Sequence, residues 1–369
     1  MKLLTCLIVF LGLSTTSNLL AQNGLTNMEE ALANPEDVYY IDVESLPEEY
    51  RTQLHKFKNL KSLRIWEMYL KEIPKGVFEL SNLEVLRIYN SSIKELPKEI
   101  DQLQKLQRLE LNSNNLRTLP KEIGNLKELT YLNLSNNKLS SIPEEFGELS
   151  KLETLFLGKN KLKTLPKAFG QLKNLRALYL GQGSIEVFPE AICELSSLEE
   201  LYLSGSSIEE LPEEFGQLQN LEKLYLHRST NLVKLPESIG NLKSLEELNL
   251  YKAKIQRLPS SIGQLQKLEK LELAFNEIAF LPQEFTKLSN LKELNLLENK
   301  LTVLPDAIGD LKSLKVLKLS NNQFKKLPKS MSKLTMLKKI ELQHNKISRG
   351  AVNKLKKALP NTKVIFYNS

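Results

Sequence analysis

Residues 83–103 read LEVLRIYNSSIKELPKEIDQL, with apolar side chains at Leu83, Leu86, Ile88, Ile93, Leu96, Ile100 and Leu103. Leu86 and Ile88 alternate about Arg87 as a half-buried strand requires. A turn follows, then a return built on Leu-Pro-x-x-Ile-x-x-Leu. Pro97 denies that return a backbone donor, so it cannot become a second regular sheet. The same pattern extends in both directions. Its prolines are Pro74, Pro97, Pro120, Pro143, Pro166, Pro189, Pro212, Pro236, Pro259, Pro282, Pro305 and Pro328, at intervals of 23 residues except for 24 between Pro212 and Pro236. Units begin at Leu60, Leu83, Leu106, Leu129, Leu152, Leu175, Leu198, Leu221, Leu245, Leu268, Leu291, Leu314 and Leu337, with a degenerate one from Val38. No unit can bury its own apolar edge; stacked neighbours do so, which makes the row interdependent.

This pattern resembles the leucine-rich-repeat family, in its 23-residue Leu-Pro-x-x-Ile type, known from bacterial repeat proteins and plant Ras-group-related ones. The resemblance covers residues 38–346 and implies an α/β fold: a curved, horseshoe-like solenoid with a parallel sheet on its inner face and irregular, 3-10 or short-helical outer segments. It also implies that positions 3, 5, 7 and 8 of each unit point away from the core on the inner face. Position 9 is commonly Asn, whose amide both donates and accepts in the buried turn. Asn114, Asn137, Asn160, Asn276, Asn299, Asn322 and Asn345 fill it, whereas Gly183, Ser206, Thr230 and Ala253 are read at this place in the middle units.

The chain has 369 residues, 41% of them hydrophobic and 26% charged, a composition that builds a core and excludes disorder. Residues 1–21 have the layout of a signal peptide: Lys2, an apolar run from Leu3 to Leu13, and a cleavage site after Ala21. Ser14 to Ser17 interrupt the run too early for a membrane span. Export to the periplasm, the cell surface or the medium is therefore expected, with a bacterial source and no integral membrane segment. Cys6 precedes most of the apolar run and reads as part of the signal. That leaves Cys193 as the one mature cysteine, so no intramolecular disulfide is expected. Residues 22–37 read as an N-terminal cap, with a helix over Thr26–Ala33 facing inward through Leu25, Met28 and Leu32. Residues 347–369 read as a C-terminal cap, with a helix lined by Val352, Leu355 and Leu359 and a covering strand at Val364 and Phe366.

Candidate binding residues follow from position 5, which runs through Phe156, Tyr179, Tyr202 and Tyr225 in four consecutive units. Strands about 4.8 Å apart would join these rings into one ladder. Tyr131 and Tyr251 extend it diagonally, and Trp66 with Tyr89 forms a smaller cluster. Neighbouring aromatics also stabilise a sheet by themselves, but an exposed apolar patch of this extent favours a ligand. Lys159, Gln182, Arg228 and Lys252 flank the ladder and would adjust specificity.

Charge is a poor guide to a partner. Glu200, Lys223, Glu247, Lys270 and Glu293 alternate along position 3 and are expected to pair, leaving the inner face close to neutral. The overall charge of +7 must lie elsewhere. Nucleic-acid binding needs a clustered basic groove and is not expected; Lys354 to Lys357 read as the solvated face of the capping helix. His55, His227 and His344 are far apart, and no zinc spacing, phosphate loop or nucleophile elbow occurs, so neither catalysis, a metal nor a cofactor is expected. The sequence thus points to a monomeric, non-enzymatic recognition scaffold that holds a protein partner on its inner face. Carbohydrate binding on the ladder and a self-associating surface module are the alternatives.

Overall fold

A computed structural model describes residues 25–66 and 69–367; the expected signal peptide, with Cys6, lies outside the described residues. Fifteen parallel strands, β1 (Tyr40–Val43) to β15 (Lys363–Ile365), form one sheet in which spatial order equals sequence order. Internal units contribute a strand of three or four residues and a short 3-10 segment, which starts directly after the proline, as in Pro120 followed by Lys121–Asn125, except at Pro305, where it is shortened to Ile308–Asp310. The proline fixes φ near the value a first helical residue needs, and its missing N–H goes unnoticed there.

Burial repeats with the sequence. In the unit from Leu106, the side chains of Leu106, Leu109, Leu111, Leu116, Ile123 and Leu126 are all buried. At about 1.5–3 kcal/mol each, these six supply on the order of 10 kcal/mol of gross apolar stabilisation, shared with the units on either side. Curvature can be read directly from aromatic spacing. Rings on the inner face stand 4.1–4.4 Å apart in neighbouring units. The equivalent outer-side pair, Phe146 and Phe169, is 6.1 Å apart. Side chains converge inside and diverge outside, as a horseshoe demands.

In most units the position-9 asparagine knits three backbone segments. Asn137 donates from Nδ2 to the carbonyls of Leu111 at 2.9 Å and Leu134 at 3.0 Å, and its Oδ1 accepts from the Leu116 N–H at 3.0 Å. The middle units do this with less. Ser206 and Ser229 share a hydroxyl contact of 3.1 Å, and Ser229 also donates to the Leu203 carbonyl at 3.5 Å. Ser229, fully buried, therefore holds the place assigned from sequence to Thr230, which is exposed. The extra residue of this unit lies immediately beyond Ser229, in a turn closed by the Leu232 N–H on the Ser229 carbonyl at 3.1 Å, and this shifts the apparent spacing by one.

The first unit departs from the pattern as Pro47, Tyr50, Leu54 and Phe57 imply. Helix α2 (Glu48–Arg51) and a 3-10 turn over Leu54–Lys56 replace the usual return and bury Tyr50, Leu54 and Phe57. Before it, helix α1 (Leu25–Ala33) buries Met28 against the first turn. At the other end, helix α3 (Arg349–Ala358) is capped by Ser348 Oγ, which accepts from the Ala351 N–H at 3.2 Å. It buries Val352 and Leu355, and β15 continues the sheet by one further strand.

Candidate functional site

Four central strands place the ladder: β6 (Thr154–Phe156), β7 (Ala177–Tyr179), β8 (Glu200–Tyr202) and β9 (Lys223–Tyr225). Their register sets Phe156 against Tyr179, Tyr179 against Tyr202 and Tyr202 against Tyr225. The rings stack face to face, at 4.1 Å and 10°, 4.3 Å and 14°, and 4.4 Å and 4°. Tyr131, on β5 (Tyr131–Asn133), joins at 5.5 Å with a tilt of 44°, as its diagonal position implies. Arg108 covers the far side of Tyr131, its guanidinium carbon 3.5 Å from the ring centroid. The result is a stack of four rings, extended by the tilted Tyr131 and closed at that end by a cation. All five side chains are half-buried, because stacked faces are covered while edges and hydroxyls look outward.

Tyr251 does not continue this stack. Its ring meets Phe275 edge-on at 5.3 Å, and the Lys252 ammonium lies 5.4 Å from Tyr251 and 4.9 Å from Phe275. The physical reason is position: Tyr251 is two residues beyond Asn249, which takes the place opposite Tyr225. Phe275 escaped sequence reading because position 8 is usually polar.

Trp66 and Tyr89 are likewise not brought together by a ring contact among the described residues. Tyr89 belongs to Arg64, which donates from Nε to its hydroxyl at 2.7 Å and from Nη1 to Asp42 at 2.8 Å. Trp66 is 42% exposed. Beside Tyr89 lies a hollow of about 460 Å³ lined by Arg64, Arg87, Tyr89, Glu110, Asn112 and Asn133. Burial tends to raise the Glu110 carboxyl, but hydrogen bonds from Arg108 at 2.5 Å and Arg87 at 2.9 Å outweigh it and hold the group below its ordinary value.

Glu200 is the polar centre of the ladder, a role that sequence spacing alone did not reveal. Its Oε2 accepts from the hydroxyls of Tyr179 at 3.2 Å and Tyr202 at 3.3 Å, while Oε1 accepts from Lys223 Nζ at 2.7 Å. Burial and the adjacent carboxylate both push the Tyr179 and Tyr202 phenols well above their ordinary range; burial and Glu247 do the same for Tyr225. These hydroxyls stay protonated and serve as fixed donors. Of the expected alternating row, Lys223 with Glu200 is the ion pair that closes among the described residues.

Arg228 and Lys252 stand on the rim, exposed and with positive φ of 61° and 54°. Every position 8 from Asn90 to His344 shares this left-handed backbone, which turns the chain inward toward position 9. Gly205 meets that requirement without steric cost; Lys159, Gln182, Arg228 and Lys252 do not. Between rim and ladder, position 7 is small at Gly158, Gly181 and Ser204, so little side chain stands between the rings and the rim there. His227 takes the same position in the next unit, with Nδ1 2.9 Å from Ser204 Oγ.

Among the described residues, no group of three His, Cys, Asp or Glu side chains is arranged to hold a metal ion, and no helix is long and apolar enough to cross a membrane. Cys193 is buried, and burial pushes its thiol up to about 12, away from any reactive thiolate.

Comparison with known proteins agrees with this geometry. The family model for a leucine-rich repeat region matches residues 40–130, 117–202, 174–254 and 248–365. Among solved structures, a leucine-rich-repeat protein of Leptospira interrogans is 36% identical, with 94% of this chain and all of that one aligned at a TM-score of 0.64. An internalin of Listeria monocytogenes is 18% identical over 86% of this chain and 84% of its own, also at 0.64, and supports the fold alone. The ectodomain of an Arabidopsis thaliana receptor kinase, solved in complex with Casparian strip integrity factor 2, is 25% identical over 92% of this chain and 48% of its own, at 0.57. The comparison with curated proteins finds no match. With the family model spanning nearly the whole row of strands, the chain belongs to the leucine-rich-repeat family.

Proposed function

We propose that this chain is an exported bacterial recognition scaffold, without enzymatic activity of its own, that binds a protein partner on its concave face. The observation that carries this reading is the five-ring row from Tyr131 to Tyr225, with outward hydroxyls ordered by Glu200 and small side chains beside it. Rigid aromatic edges, with the Tyr179 and Tyr202 hydroxyls fixed by Glu200 so that their oxygens are left to accept, give a large contact at little entropic cost. The solved plant receptor ectodomain is in complex with Casparian strip integrity factor 2, which supports a binding use of the same fold. Arg228 and Lys252 at the rim, and Tyr251 with Phe275 beyond it, complete the contact surface. The pairing of ring faces favours a protein over a sugar. A sugar ring would stack on an aromatic face, and the faces between Phe156 and Tyr225 are already covered by their neighbours.

Affinity capture followed by mass spectrometry tests this, comparing the native chain with a Tyr179→Ser, Tyr202→Ser, Tyr225→Ser variant shown to be folded. Proteins captured by the native chain and lost with the variant are the expected result. Identical capture by both would remove the ladder from recognition and leave it a role in the sheet alone.

A further inference from the structure

The formal charge of +7 is distributed very unevenly. Between Lys312 and Ser369 stand 14 lysines and Arg349 against one acid, Glu341. This end carries +14 and the rest of the chain −7. Elsewhere the repeat gives exposed lysines an acid one unit away: Lys127 with Glu148 at 2.8 Å, Lys151 with Glu128 at 2.6 Å, Lys300 with Glu277 at 2.8 Å. At the C-terminal end the spacing persists and the acids are missing. Lys339 with Glu341 at 2.6 Å and Lys333 with Asp310 at 4.0 Å are the ion pairs made there among the described residues. Lys325, Lys326 and Lys329 on the last flank, Lys354, Lys356 and Lys357 on α3, and Lys363 at the free sheet edge are exposed and have no carboxylate partner among the described residues.

These cations adjoin one another. Helix α3 turns Val352 and Leu355 inward and packs against the outer segment Lys329–Lys333. Its lysines thereby continue the flank set around the end of the solenoid. The structure therefore extends the solvated helix face expected from sequence into a basic pole.

We propose that this pole docks on an anionic lipid bilayer, with lysines of α3 and the last flank against the headgroup phosphates. Lysine in place of arginine suits a diffuse layer of phosphates, because an ammonium is a compact, hydrated point charge without a bidentate fork. Lys326 and Lys329 border a hollow of about 720 Å³ together with Asp306, but Lys354, Lys356, Lys357 and Lys363 lie outside it, so the set as a whole surrounds an end, which fits a flat surface better than a linear polyanion. A plane reaches the tip of a solenoid without touching its concave face. The net −7 of the remaining chain is repelled by the same surface, so the field of the whole molecule orients it end-on with the ladder free.

Flotation of the full chain with vesicles tests this, using pure phosphatidylcholine and an equal mixture with phosphatidylglycerol. Binding to the mixture alone, weakening as salt screens the charges, is expected. Lys354→Glu, Lys356→Glu, Lys357→Glu should weaken partitioning on the order of a hundredfold or more. A Lys98→Glu, Lys121→Glu control and the folded triple ladder variant should bind as the native chain does, which separates this proposal from the concave partner. No binding to the anionic vesicles, or binding unchanged in the helix variant, would overturn it. So would binding to heparin without binding to vesicles, which would mark a linear polyanion, or salt-sensitive dimerisation in their place, which would mark a second copy.

Discussion

The central units and their flanks solve the same stacking problem by different means. In the flanks an amide ladder runs inside the turns: Asn114, Asn137 and Asn160 on one side, Asn276, Asn299, Asn322 and Asn345 on the other, each with several buried hydrogen bonds. At the centre Gly183 and Ala253 offer no side-chain hydrogen bond, and Ser206 with Ser229 offers few. The stacked rings lie on this stretch, one unit out of step at its start. Cohesion between central units has moved from the interior of the turn to the surface of the sheet, where the same groups are available to a partner.

The sharpest way to break this comparison is to remove an interior amide from a flank. Asn137→Ala strands the Leu116 N–H and deprives the Leu111 and Leu134 carbonyls of a donor in a buried turn. A cost of about 2–4 kcal/mol is expected: about 1–3 kcal/mol for the orphaned Leu116 N–H and the rest for two lost hydrogen bonds, since the Leu111 and Leu134 carbonyls keep Asn114 and Asn160 as donors. Urea midpoints measure it beside Ser206→Ala, where about 1 kcal/mol or less is expected. Equal losses at both sites would mean that the interior ladder is not what distinguishes the regions.

Next in size is Tyr202→Ala, which removes the ring with a stacked neighbour on either side. Two ring pairs at about 0.5–1.5 kcal/mol each set the loss at about 1–3 kcal/mol. Tyr202→Phe keeps the stack and deletes only the bond to Glu200, so its midpoint should stay within about 1 kcal/mol of native. If Phe proved as damaging as Ala, the polar centre and not the stack would hold these units together.

A smaller effect runs the other way. Ser206→Asn with Ser229→Asn restores the flank pattern at the centre and should stabilise by up to about 1 kcal/mol, read as a rise in the same midpoint. A fall would show that the serine pair is fitted to the turn that absorbs the extra residue near Thr230.

The fold was legible because leucine, proline and asparagine recur at fixed spacing, and burial follows that spacing with little freedom. Position 5 gave the four-ring ladder for the same reason, since strand register in a parallel row cannot slip without turning leucines outward. What spacing does not fix is the choice between partners within reach. Tyr89 could have met Trp66 and instead accepts from Arg64; Tyr251 turns to Phe275; Glu200 gathers two phenols and a lysine where an even row of ion pairs was expected. Such choices depend on rotamers and on competition between side chains, and they escape a reading that takes one position at a time. Thr230 was misplaced because an insertion cannot be located within a turn until the turn is seen.

The comparison extends to titration at position 7, where the last unit supplies a natural control. Ser320 Oγ contacts Gln343 Oε1 across neighbouring strands, and Ser204 Oγ contacts His227 Nδ1 in the same relation at the centre. Burial first, and then the Arg228 cation, lower the His227 pKa below its ordinary value of about 6.5. The unfolded chain therefore takes up a proton at a pH where the folded one still resists it. The stability associated with neutral His227 is full above the unfolded value, declines as pH falls through it, and levels off below the folded value. His227→Gln copies the pairing at Gln343 and cannot titrate, so its stability should change less between pH 7 and pH 5 than that of the native chain. Midpoints collected across that range measure the difference. Parallel profiles for the two chains would mean that the central units leave His227 as free to ionise folded as unfolded, and that its pairing with Ser204 differs from that of Ser320 with Gln343 in shape alone.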